Sequence, residues 1–281
     1  MFYKFFKESG VYSNREIRAL GKKLGVKKIG HSGILDQLAS GLMIVATDSD
    51  TKLLDYISNK NKAYIAKAKF GYSSDTLDSN GDIQKENVKQ VNLDNLQQAV
   101  YIICTQEFQI PPKYSAKRIQ GRRAYDLARQ GIDIELKPHK IKVIDYKILD
   151  FDYENQEYTI YFLVSNGTYI RVLLEDIAKQ LNNSSIMTEL KRIKVGNIDI
   201  DDLKPTEHQK ISIFDLFDFN ILKYTENEYK YLINGREFEC DYDDGILMWS
   251  DAQNQIVSVG LVRNKIFFPK KVFLERLKWK I

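Results

Sequence analysis

The sequence is poor in the residues that build metal sites and disulfide frameworks. Its two cysteines, Cys104 and Cys240, lie far apart and form no C-x-x-C pair. Its three histidines, His31, His139 and His208, never occur at a metal-ligand spacing. This scarcity argues against a structural zinc site or a disulfide scaffold, and it predicts an intracellular protein without a metal ion.

Signatures of membrane insertion and of cofactor binding are also missing. The first ten residues, MFYKFFKESG, lack the apolar core of a signal peptide. Apolar runs such as Leu42 to Ala46 fall far short of the roughly 20 residues that cross a bilayer. Phosphate-binding, dinucleotide-binding, serine-hydrolase and zinc-protease motifs do not occur. We therefore expect a cytoplasmic protein whose chemistry needs no cofactor.

Positive charge is present but unevenly distributed. The 281 residues include 42 Lys and Arg against 38 Asp and Glu, a formal net charge of +4. Residues 1–71 contain 13 Lys and Arg against 6 acidic residues, and residues 112–147 contain 10 against 4, so the remainder is acidic. This segregation is compatible with a basic face for nucleic acid, although charge runs are also common on ordinary solvated surfaces.

The apolar periodicity predicts helices mixed with strands. The predicted helices span residues 14–24, 94–103, 122–130 and 169–181, and the predicted strands span residues 42–46, 64–70, 141–151 and 157–165. Ser13 and Glu16 form a capping-box pattern before the first helix. Because no regular βαβ rhythm occurs, the predicted class is α+β. Short strand-like segments near the C-terminus predict a small β-rich domain, so we divide the chain into 1–219 and 220–281.

Three residues are candidates for chemistry, each with an ordinary structural alternative. Asp36 lies in a glycine-bracketed, largely apolar loop, where a partly desolvated carboxylate needs a compensating cation. Arg171 follows an Asn-Gly turn and suits that role, because arginine stays charged and binds carboxylates bidentately. Tyr64 lies in a predicted strand. The alternatives are a loop aspartate that caps a backbone N–H, a surface arginine and a core tyrosine.

Six segments in chain order carry a recognisable set of motifs. They are G-H-S-G-I-L-D-Q-L-A-S-G at 30–41, K-A-Y at 62–64, G-Y-S-S-D-T-L-D-S-N-G at 71–81, P-P-K-Y-S-A at 111–116, N-G-T-Y-I-R at 166–171 and L-K-R at 190–192. Together they resemble the motifs of the bacterial tRNA pseudouridine synthase B (TruB) family, over roughly residues 7–200. Gln37 departs from that pattern, in which a proline follows the aspartate, and the change predicts a looser loop.

The resemblance implies a fold and a reaction. The fold is the pseudouridine synthase fold, a mixed, largely antiparallel sheet with flanking helices, followed by a PUA-like C-terminal domain. The reaction converts the T-loop uridine at position 55 of tRNA into pseudouridine without cofactor or metal. In it, the target nucleotide is flipped out, its N-glycosidic bond is cleaved, and the uracil is rotated and rejoined through C5. The implied partner is the tRNA T-arm. Neither a membrane nor an obligatory protein partner is expected, and we expect a monomer.

The resemblance also assigns roles at the reacting centre. Asp36 matches the nucleophilic aspartate of the family. Arg171 matches the arginine that pairs with this aspartate. Tyr64 matches the tyrosine that stacks on the target base, and it is a candidate for removing the C5 proton.

Other matched residues are expected to bind the RNA. His31 matches a histidine implicated in substrate binding and nucleotide flipping, and Tyr169 and Leu190 match pocket residues around the flipped base. We interpret Lys191 and Arg192 as phosphate contacts, which position an RNA without reading its sequence. The two basic stretches are then expected to line the groove for the T-arm.

Two other functions remain open at this point. A non-enzymatic tRNA-binding or tRNA-folding protein would need the same basic surface, and the altered loop around Gln37 is compatible with it. A related synthase that acts on another RNA, or that needs a guide RNA and protein partners, is the second alternative. Turnover of a bare T-arm stem-loop distinguishes both alternatives from the main hypothesis.

Overall fold

A computed structural model describes residues 1–115, 117–119, 121–132, 135–201 and 203–278. Two compact units are present: Met1–Leu54 with Asn59–Lys210, and Asp55–Ser58 with Ile211–Ile281. The division thus precedes the boundary that we place after residue 219. The reason is that the segment before residue 219 bonds to the smaller unit, since Ser58 N–H donates to Leu216 O and Asp218 N–H donates to Ser58 Oγ.

The larger unit alternates short helices with many strands. Its helices, among the described residues, are α1 (Ser13–Lys23), α2 (Leu93–Cys104), α3 (Ala124–Arg129) and α4 (Ile170–Gln180), with a 3-10 helix at Asp48–Tyr56 whose last two residues belong to the smaller unit. Its strands are β1 (Phe2–Lys7), β2 (Ile29–His31), β3 (Ser40–Thr47), β4 (Lys62–Phe70), β5 (Tyr72–Ser74), β6 (Ile83–Lys85), β7 (Phe108–Gln109), β8 (Arg118–Ile119), β9 (Arg122–Arg123), β10 (His139–Lys140), β11 (Val143–Asp152), β12 (Glu157–Val164), β13 (Ser185–Val195), β14 (Ile198–Asp199) and β15 (His208–Ile211). None of the described helices has the length and hydropathy needed to cross a bilayer.

A nine-stranded sheet organises the described part of this unit. Its main path runs β11-β12-β4-β13-β3-β1-β15, with β14 beside β13 and β2 beside β3. The neighbours β11/β12, β12/β4, β4/β13 and β1/β3 are antiparallel, whereas β13/β3 is parallel. These pairings, together with the flanking helices, confirm the predicted α+β class with a largely antiparallel sheet.

The sheet and the helices share one core because the strand residues alternate between two environments. In β4, Tyr64, Ala66, Ala68 and Phe70 are buried, as the period of two predicts. Apolar residues of α1, α2 and α4 join the same cluster, including the side chains of Ile17, Leu20, Leu96, Val100, Leu173 and Ile177. Ile170, in the first turn of α4, and Tyr64 of β4 belong to this cluster, so the helix and the strand share one core.

Two helix predictions were wrong in detail. The Ser13 hydroxyl does not cap α1. It donates to Leu35 O at 2.6 Å and accepts from Leu35 N–H at 3.1 Å, so it holds a neighbouring loop. The helix predicted from Arg122 begins at Ala124, because Arg122 and Arg123 form a strand that pairs with β8.

The smaller unit is rich in strands, as predicted for the C-terminal part of the chain. Its elements are α5 (Ile213–Leu216), α6 (Glu226–Leu232), β16 (Asn220–Lys223), β17 (Phe238–Glu239), β18 (Gly245–Ser250), β19 (Ile256–Arg263) and β20 (Ile266–Val272). The described strands form a five-stranded sheet in the order β16-β18-β19-β20-β17. Phe238, Trp249 and Phe267 pack together in its core, with ring centroids 5.2–6.0 Å apart.

Gly41 allows the close approach of β3 and β13. A Cβ on Gly41 would lie 2.2 Å from Arg192 O and 2.8 Å from Arg192 N, and the glycine has φ +108°. We predict that Gly41→Ala lowers the free energy of unfolding by about 3 kcal/mol or more, because backbone atoms must separate. Gly25→Ala is the control, since Gly25 also has a positive φ but nothing within 4 Å. It should cost only about 1 kcal/mol. Urea denaturation measures both, and equal losses would contradict the prediction.

Candidate active site

The loop between β2 and β3 presents Asp36 to solvent from an apolar base. Leu35 and Ala39 are buried in the core of the larger unit and anchor the loop on both sides of the aspartate. The Asp36 side chain is 43% exposed. The apolar neighbours point into the core while the carboxylate points outward, so the carboxylate is partly covered but still reaches solvent.

Arg171 supplies the cation that Asp36 needs. Its Nη2 lies 2.9 Å from Asp36 Oδ2, and its own side chain is only 6% exposed. Arg171 occupies the first turn of α4, directly after Tyr169 and Ile170. The structure thus brings together two residues that are 135 positions apart in the sequence, Asp36 and Arg171, as a direct ion pair.

The remaining donors of Arg171 are used by two further segments. Nη1 donates to Thr76 O at 2.6 Å, and Nη2 also donates to Tyr114 O at 3.1 Å. The buried Asp78 carboxylate lies 3.8 Å from Nε. It accepts hydrogen bonds from the Thr76 hydroxyl at 2.7 Å and from Asn80 N–H at 3.0 Å. The guanidinium is therefore held in one orientation toward Asp36.

Asp78 is a site residue that the sequence analysis did not assign. It lies in the segment G-Y-S-S-D-T-L-D-S-N-G, and its signal was the T-x-D spacing that lets Thr76 bond to it. Its main chain bridges to Met187 in β13, which attaches the segment to the sheet. Asp78 offsets the charge of Arg171 inside the protein and leaves the pairing with Asp36 to the exposed side.

Arg192 lies in the interior, which differs from the phosphate contact that we expect from the sequence. The residue is 1% exposed. Its Nε donates to Leu42 O at 2.7 Å, Nη2 to Gly33 O at 3.0 Å and Nη1 to Ile34 O at 3.4 Å. These three carbonyls belong to the Asp36 loop and to the start of β3. Arg192 is thus bound to the loop backbone, and its donors are not displayed on the surface.

Tyr64 lies in the core beside Arg192. The Arg192 guanidinium hydrogen-bonds to the Tyr64 side chain and lowers its pKa, but burial has the larger effect and raises the pKa above the ordinary value. The Tyr64 hydroxyl is therefore protonated at neutral pH. Tyr64 pairs with Phe162 in β12 and lies two residues before Ala66, which is opposite Leu190 in β13.

His31 is half-buried on β2 opposite Val45. Burial lowers the pKa of its imidazole, and the positive charge of Arg192 lowers it further. In the part of the chain that the structure describes, its buried Nδ1 has no hydrogen-bond partner. His31 is thus neutral at physiological pH and can act through its ring and its free nitrogen rather than through charge.

Lys7 supports the loop from below. Its side chain is fully buried, and its ammonium donates to Glu8 O at 2.9 Å, to Gln37 O at 3.2 Å and to Ala39 O. Burial lowers the pKa of Lys7 to about 8, although the negative charge of Asp36 acts in the opposite direction. Lys7 therefore acts as a buried cation that holds the backbone on the C-terminal side of Asp36. The sequence alone does not reveal this role.

Gln37 attaches the Asp36 loop to the N-terminal segment through two hydrogen bonds. Its Nε2 donates to Gly10 O at 3.0 Å, and its carbonyl accepts from Gly10 N–H at 2.8 Å. A proline at this position could make the second bond but not the first. The side chain of Gln37 thus adds an attachment to the N-terminal segment that a proline lacks.

Tyr169 is positioned by the buried Gln109, which the sequence analysis missed. The Gln109 carboxamide accepts from Tyr169 N–H at 2.8 Å and donates to Tyr169 O at 3.1 Å. The His139 ring stands edge-on to the Tyr169 ring at 6.0 Å, and His139 Nε2 bonds to Gly167 O at 3.0 Å. The two hydrogen bonds between Gln109 and Tyr169, which we call the Gln109 clamp, fix the turn that leads into α4 and hence the direction of Arg171.

The last two candidates lie on β13. Leu190 is buried in the core opposite Ala66, and Lys191 is exposed, with its ammonium 5.5 Å from the Phe6 ring centre. Of the two basic residues, only Lys191 is therefore available to an RNA phosphate at the surface. Among the described residues, no cluster of His, Cys, Asp and Glu side chains is arranged to hold a metal ion.

This chain is similar to known proteins in both sequence and fold. Residues 21–170 match the model of the TruB family pseudouridylate synthases (N terminal domain). The tRNA pseudouridine synthase B of Mesomycoplasma hyopneumoniae (strain 232) is 37% identical over 274 residues, 97% of this chain and 83% of the relative. The protein of the same name from Mycoplasma mobile is 36% identical over 97% of this chain and 94% of the relative. A chain in the crystal structure of a Cbf5-Nop10-Gar1 complex superposes with a TM-score of 0.68 at 17% identity, over 99% of this chain and 87% of that one. This last likeness shows the fold alone.

The Gln109 clamp predicts a specific loss of stability. Gln109→Leu leaves the half-buried N–H of Tyr169 without its partner and removes one of the two hydrogen bonds to the Tyr169 carbonyl, which keeps the bond from Leu173 N–H, so it should cost about 1–3 kcal/mol. Gln109→Glu keeps the acceptor and should cost less. Gln106→Leu, at an exposed position three residues earlier, is the matched control and should change stability by less than about 0.5 kcal/mol. Urea denaturation measures all three, and equal effects of Gln109→Leu and Gln106→Leu would disprove the clamp.

The lowered pKa of Lys7 predicts how stability depends on pH. In the unfolded chain Lys7 keeps its proton up to about pH 10.5, whereas in the folded chain its pKa is about 8. Between these values the unfolded state binds more protons, so the free energy of unfolding should rise with pH relative to Lys7→Met. Lys23→Met, at an exposed lysine of α1, controls for the loss of one charge. The measurement is urea denaturation from pH 7.5 to 10.5, and a constant difference between wild type and Lys7→Met would contradict it.

Proposed function

Because the chain belongs to the TruB family of pseudouridylate synthases, we propose that it converts the uridine at position 55 of the tRNA T-loop into pseudouridine. It is a tRNA pseudouridine synthase, since relatives that match almost its whole length carry that name. The position within the tRNA and the roles of individual residues are the finer parts of the proposal. The resemblance of the motifs supports the position, and the site geometry supports the residue roles.

One observation carries the proposal: an exposed carboxylate is paired with a buried guanidinium. Asp36 is 43% exposed and Arg171 is 6% exposed, with 2.9 Å between Oδ2 and Nη2. A nucleophile must reach its substrate, and its orienting group must not move when the substrate arrives. Asp36 meets the first requirement, and Arg171, held by Thr76 O, Tyr114 O and Asp78, meets the second.

The reaction needs no external reagent because it is an isomerisation. The N1–C1′ bond of uridine breaks, a C5–C1′ bond forms, the C5 proton leaves, and N1 gains a proton. Asp36 forms the covalent bond to the nucleotide that keeps both fragments in the site while the uracil turns. Arg171 counters the negative charge of the carboxylate before attack and again when the carboxylate is released.

Tyr64 serves first as the surface on which the target base stacks. Its pKa is raised by burial, so it enters the reaction as a neutral phenol. This favours the stacking role over that of a base in the resting enzyme. Leu190 and Tyr169 complete the proposed pocket, and His31, neutral through its lowered pKa, contacts the flipped nucleotide through its ring. Stacking and hydrogen bonds in this pocket offset the few kcal/mol of unstacking that flipping costs.

The substrate is the T-arm of tRNA, and we propose that the enzyme binds it as a monomer in the cytoplasm without a protein partner. Lys191 and the basic stretches 1–71 and 112–147 supply phosphate contacts, which recognise the shape of the arm. We propose a PUA-like, RNA-binding role for the smaller unit, which its five-stranded sheet supports.

Replacement of the nucleophile tests the proposal directly. Asp36→Asn keeps the size of the side chain and removes its charge, so it should lower pseudouridine formation by roughly 10⁴-fold or more and leave RNA binding largely intact. The assay maps pseudouridine after the purified protein is incubated with unmodified tRNA and with a bare T-arm stem-loop.

The control is Asp94→Asn, at an exposed carboxylate on α2, which should turn over RNA at the wild-type rate. Full turnover by Asp36→Asn would disprove the role of Asp36. A wild-type protein that binds tRNA and leaves every uridine unchanged would instead be a binding or folding protein. A modified uridine at another position, or turnover that needs added RNA or protein, would disprove the assignment of the T-loop target.

A further inference from the structure

Lys62 is a buried cation that the proposed reaction does not use. It begins β4, two residues before Tyr64, and is 9% exposed. Its ammonium donates to the side-chain oxygen of Asn166. In the described ranges of the chain, no carboxylate forms an ion pair with it. Lys62 thus differs from Arg171, which has two carboxylates within 4 Å.

The surroundings of Lys62 add positive charge. Burial, together with the smaller effects of the charges of Arg192 and Lys60, lowers the pKa of its ammonium to about 8. A buried charge without a counter-ion costs free energy, and the cost is greater beside a second cation. A lysine with only a structural role could be replaced here by a neutral donor. An unbalanced pair of cations is instead what a site for an anion needs before the anion binds.

The cluster lies directly against the loop that carries Asp36. A Cβ on Gly33 would be 3.6 Å from Lys62 Cε and 3.8 Å from both Lys62 Nζ and Arg192 Nη1. Gly33 is three residues before Asp36 and two residues after His31, and it is only half-buried. Asn166, the partner of the ammonium, is exposed. The ammonium is therefore close enough to the surface to exchange Asn166 for an anion that arrives at the loop.

We propose that Lys62 binds a phosphate of the RNA next to the flipped nucleotide, with Arg192 behind it and Asn166 as the partner that it releases. The inference rests on the proposed function, because flipping rotates the target nucleotide about its backbone and brings a flanking phosphate to the loop. A phosphate carries the single negative charge that the cluster lacks. The small ammonium of a lysine suits one phosphate oxygen and needs no bidentate geometry.

The salt dependence of binding separates a phosphate contact from a structural role. We use the full-length protein in the Asp36→Asn background, so that the T-arm stem-loop is not converted, and measure Kd from 50 to 300 mM KCl. Lys62→Gln should weaken binding about tenfold at 100 mM KCl. It should also reduce the slope of log Kd against log salt by about 0.7, the value for one phosphate contact on a single strand.

Two further variants complete the series. Lys62→Arg keeps the charge and should keep the slope of the parent protein. Lys85→Gln removes the same charge from an exposed strand outside both basic stretches and should change neither Kd nor slope. A weakened Kd with an unchanged slope for Lys62→Gln would show a structural role and overturn the proposal.

Uncharged phosphate analogues in the RNA identify the contact made by Lys62, and this test does not depend on whether a Lys62 variant folds. A methylphosphonate replaces, one at a time, the phosphates on the 5′ and 3′ sides of the target uridine. One of the two replacements should weaken binding by the protein with an intact Lys62 about tenfold. The same replacement should not weaken binding by Lys62→Gln any further. If neither replacement weakens binding by the intact protein, the proposal is wrong.

Failure of this inference is distinct from failure of the proposed function. The wild-type protein is assayed for pseudouridine in the same stem-loop. Turnover at the target uridine together with an unchanged slope rejects the Lys62 site alone. A protein that neither binds nor converts the stem-loop rejects the T-arm as substrate, and with it both proposals.

Discussion

The Arg171 guanidinium is the point at which three separate parts of the chain meet. It pairs with Asp36 from the loop after β2, with Thr76 and Asp78 from the segment after β5, and with the carbonyl of Tyr114. Each of these segments is a connection rather than a regular element, and the buried cation gives them a common fixed point. Removal of its charge would leave Asp78 as an unpaired buried carboxylate. The geometry at Asp36 therefore depends on a residue whose own side chain hardly reaches solvent.

The sheet determines which residues can take part in this arrangement. The parallel pairing of β13 with β3 places Arg192 beside Gly41, and the antiparallel pairing with β4 places Arg192 beside Tyr64. One residue thus touches the end of the Asp36 loop and the proposed stacking tyrosine. Because Gly41 lets the two backbones approach, Arg192 can lie underneath the loop. A shift of register by one residue would turn the guanidinium to the other face of the sheet.

Sequence reasoning predicts the element types and the central pair but not how the pair is supported. The strand at residues 64–70 and the helix at residues 169–181 follow from the spacing of apolar residues, and the structure has β4 and α4 there. The resemblance to known motifs supplies the partnership of Asp36 and Arg171. Residue types do not reveal the supports, because Lys7, Gln109 and Arg192 bond mainly to main-chain carbonyls and N–H groups, which every residue carries. The outward direction of the Asp36 side chain is not predicted for a related reason, since an apolar neighbourhood in sequence does not tell which way one side chain points.

The loop around Asp36 is held by its backbone, and this has a consequence for how its sequence can change. Lys7 bonds to the carbonyls of Gln37 and Ala39, and Arg192 bonds to those of Gly33 and Ile34. A mutation at Ile34 or residue 37 alters a side chain but leaves its carbonyl in place, so the attachment survives. Substitutions at these positions therefore preserve the backbone attachment of the loop. A residue such as Gln37 can replace a proline and add a hydrogen bond of its own. The side chains of the loop can thus vary during evolution while the Asp36 carboxylate keeps its position.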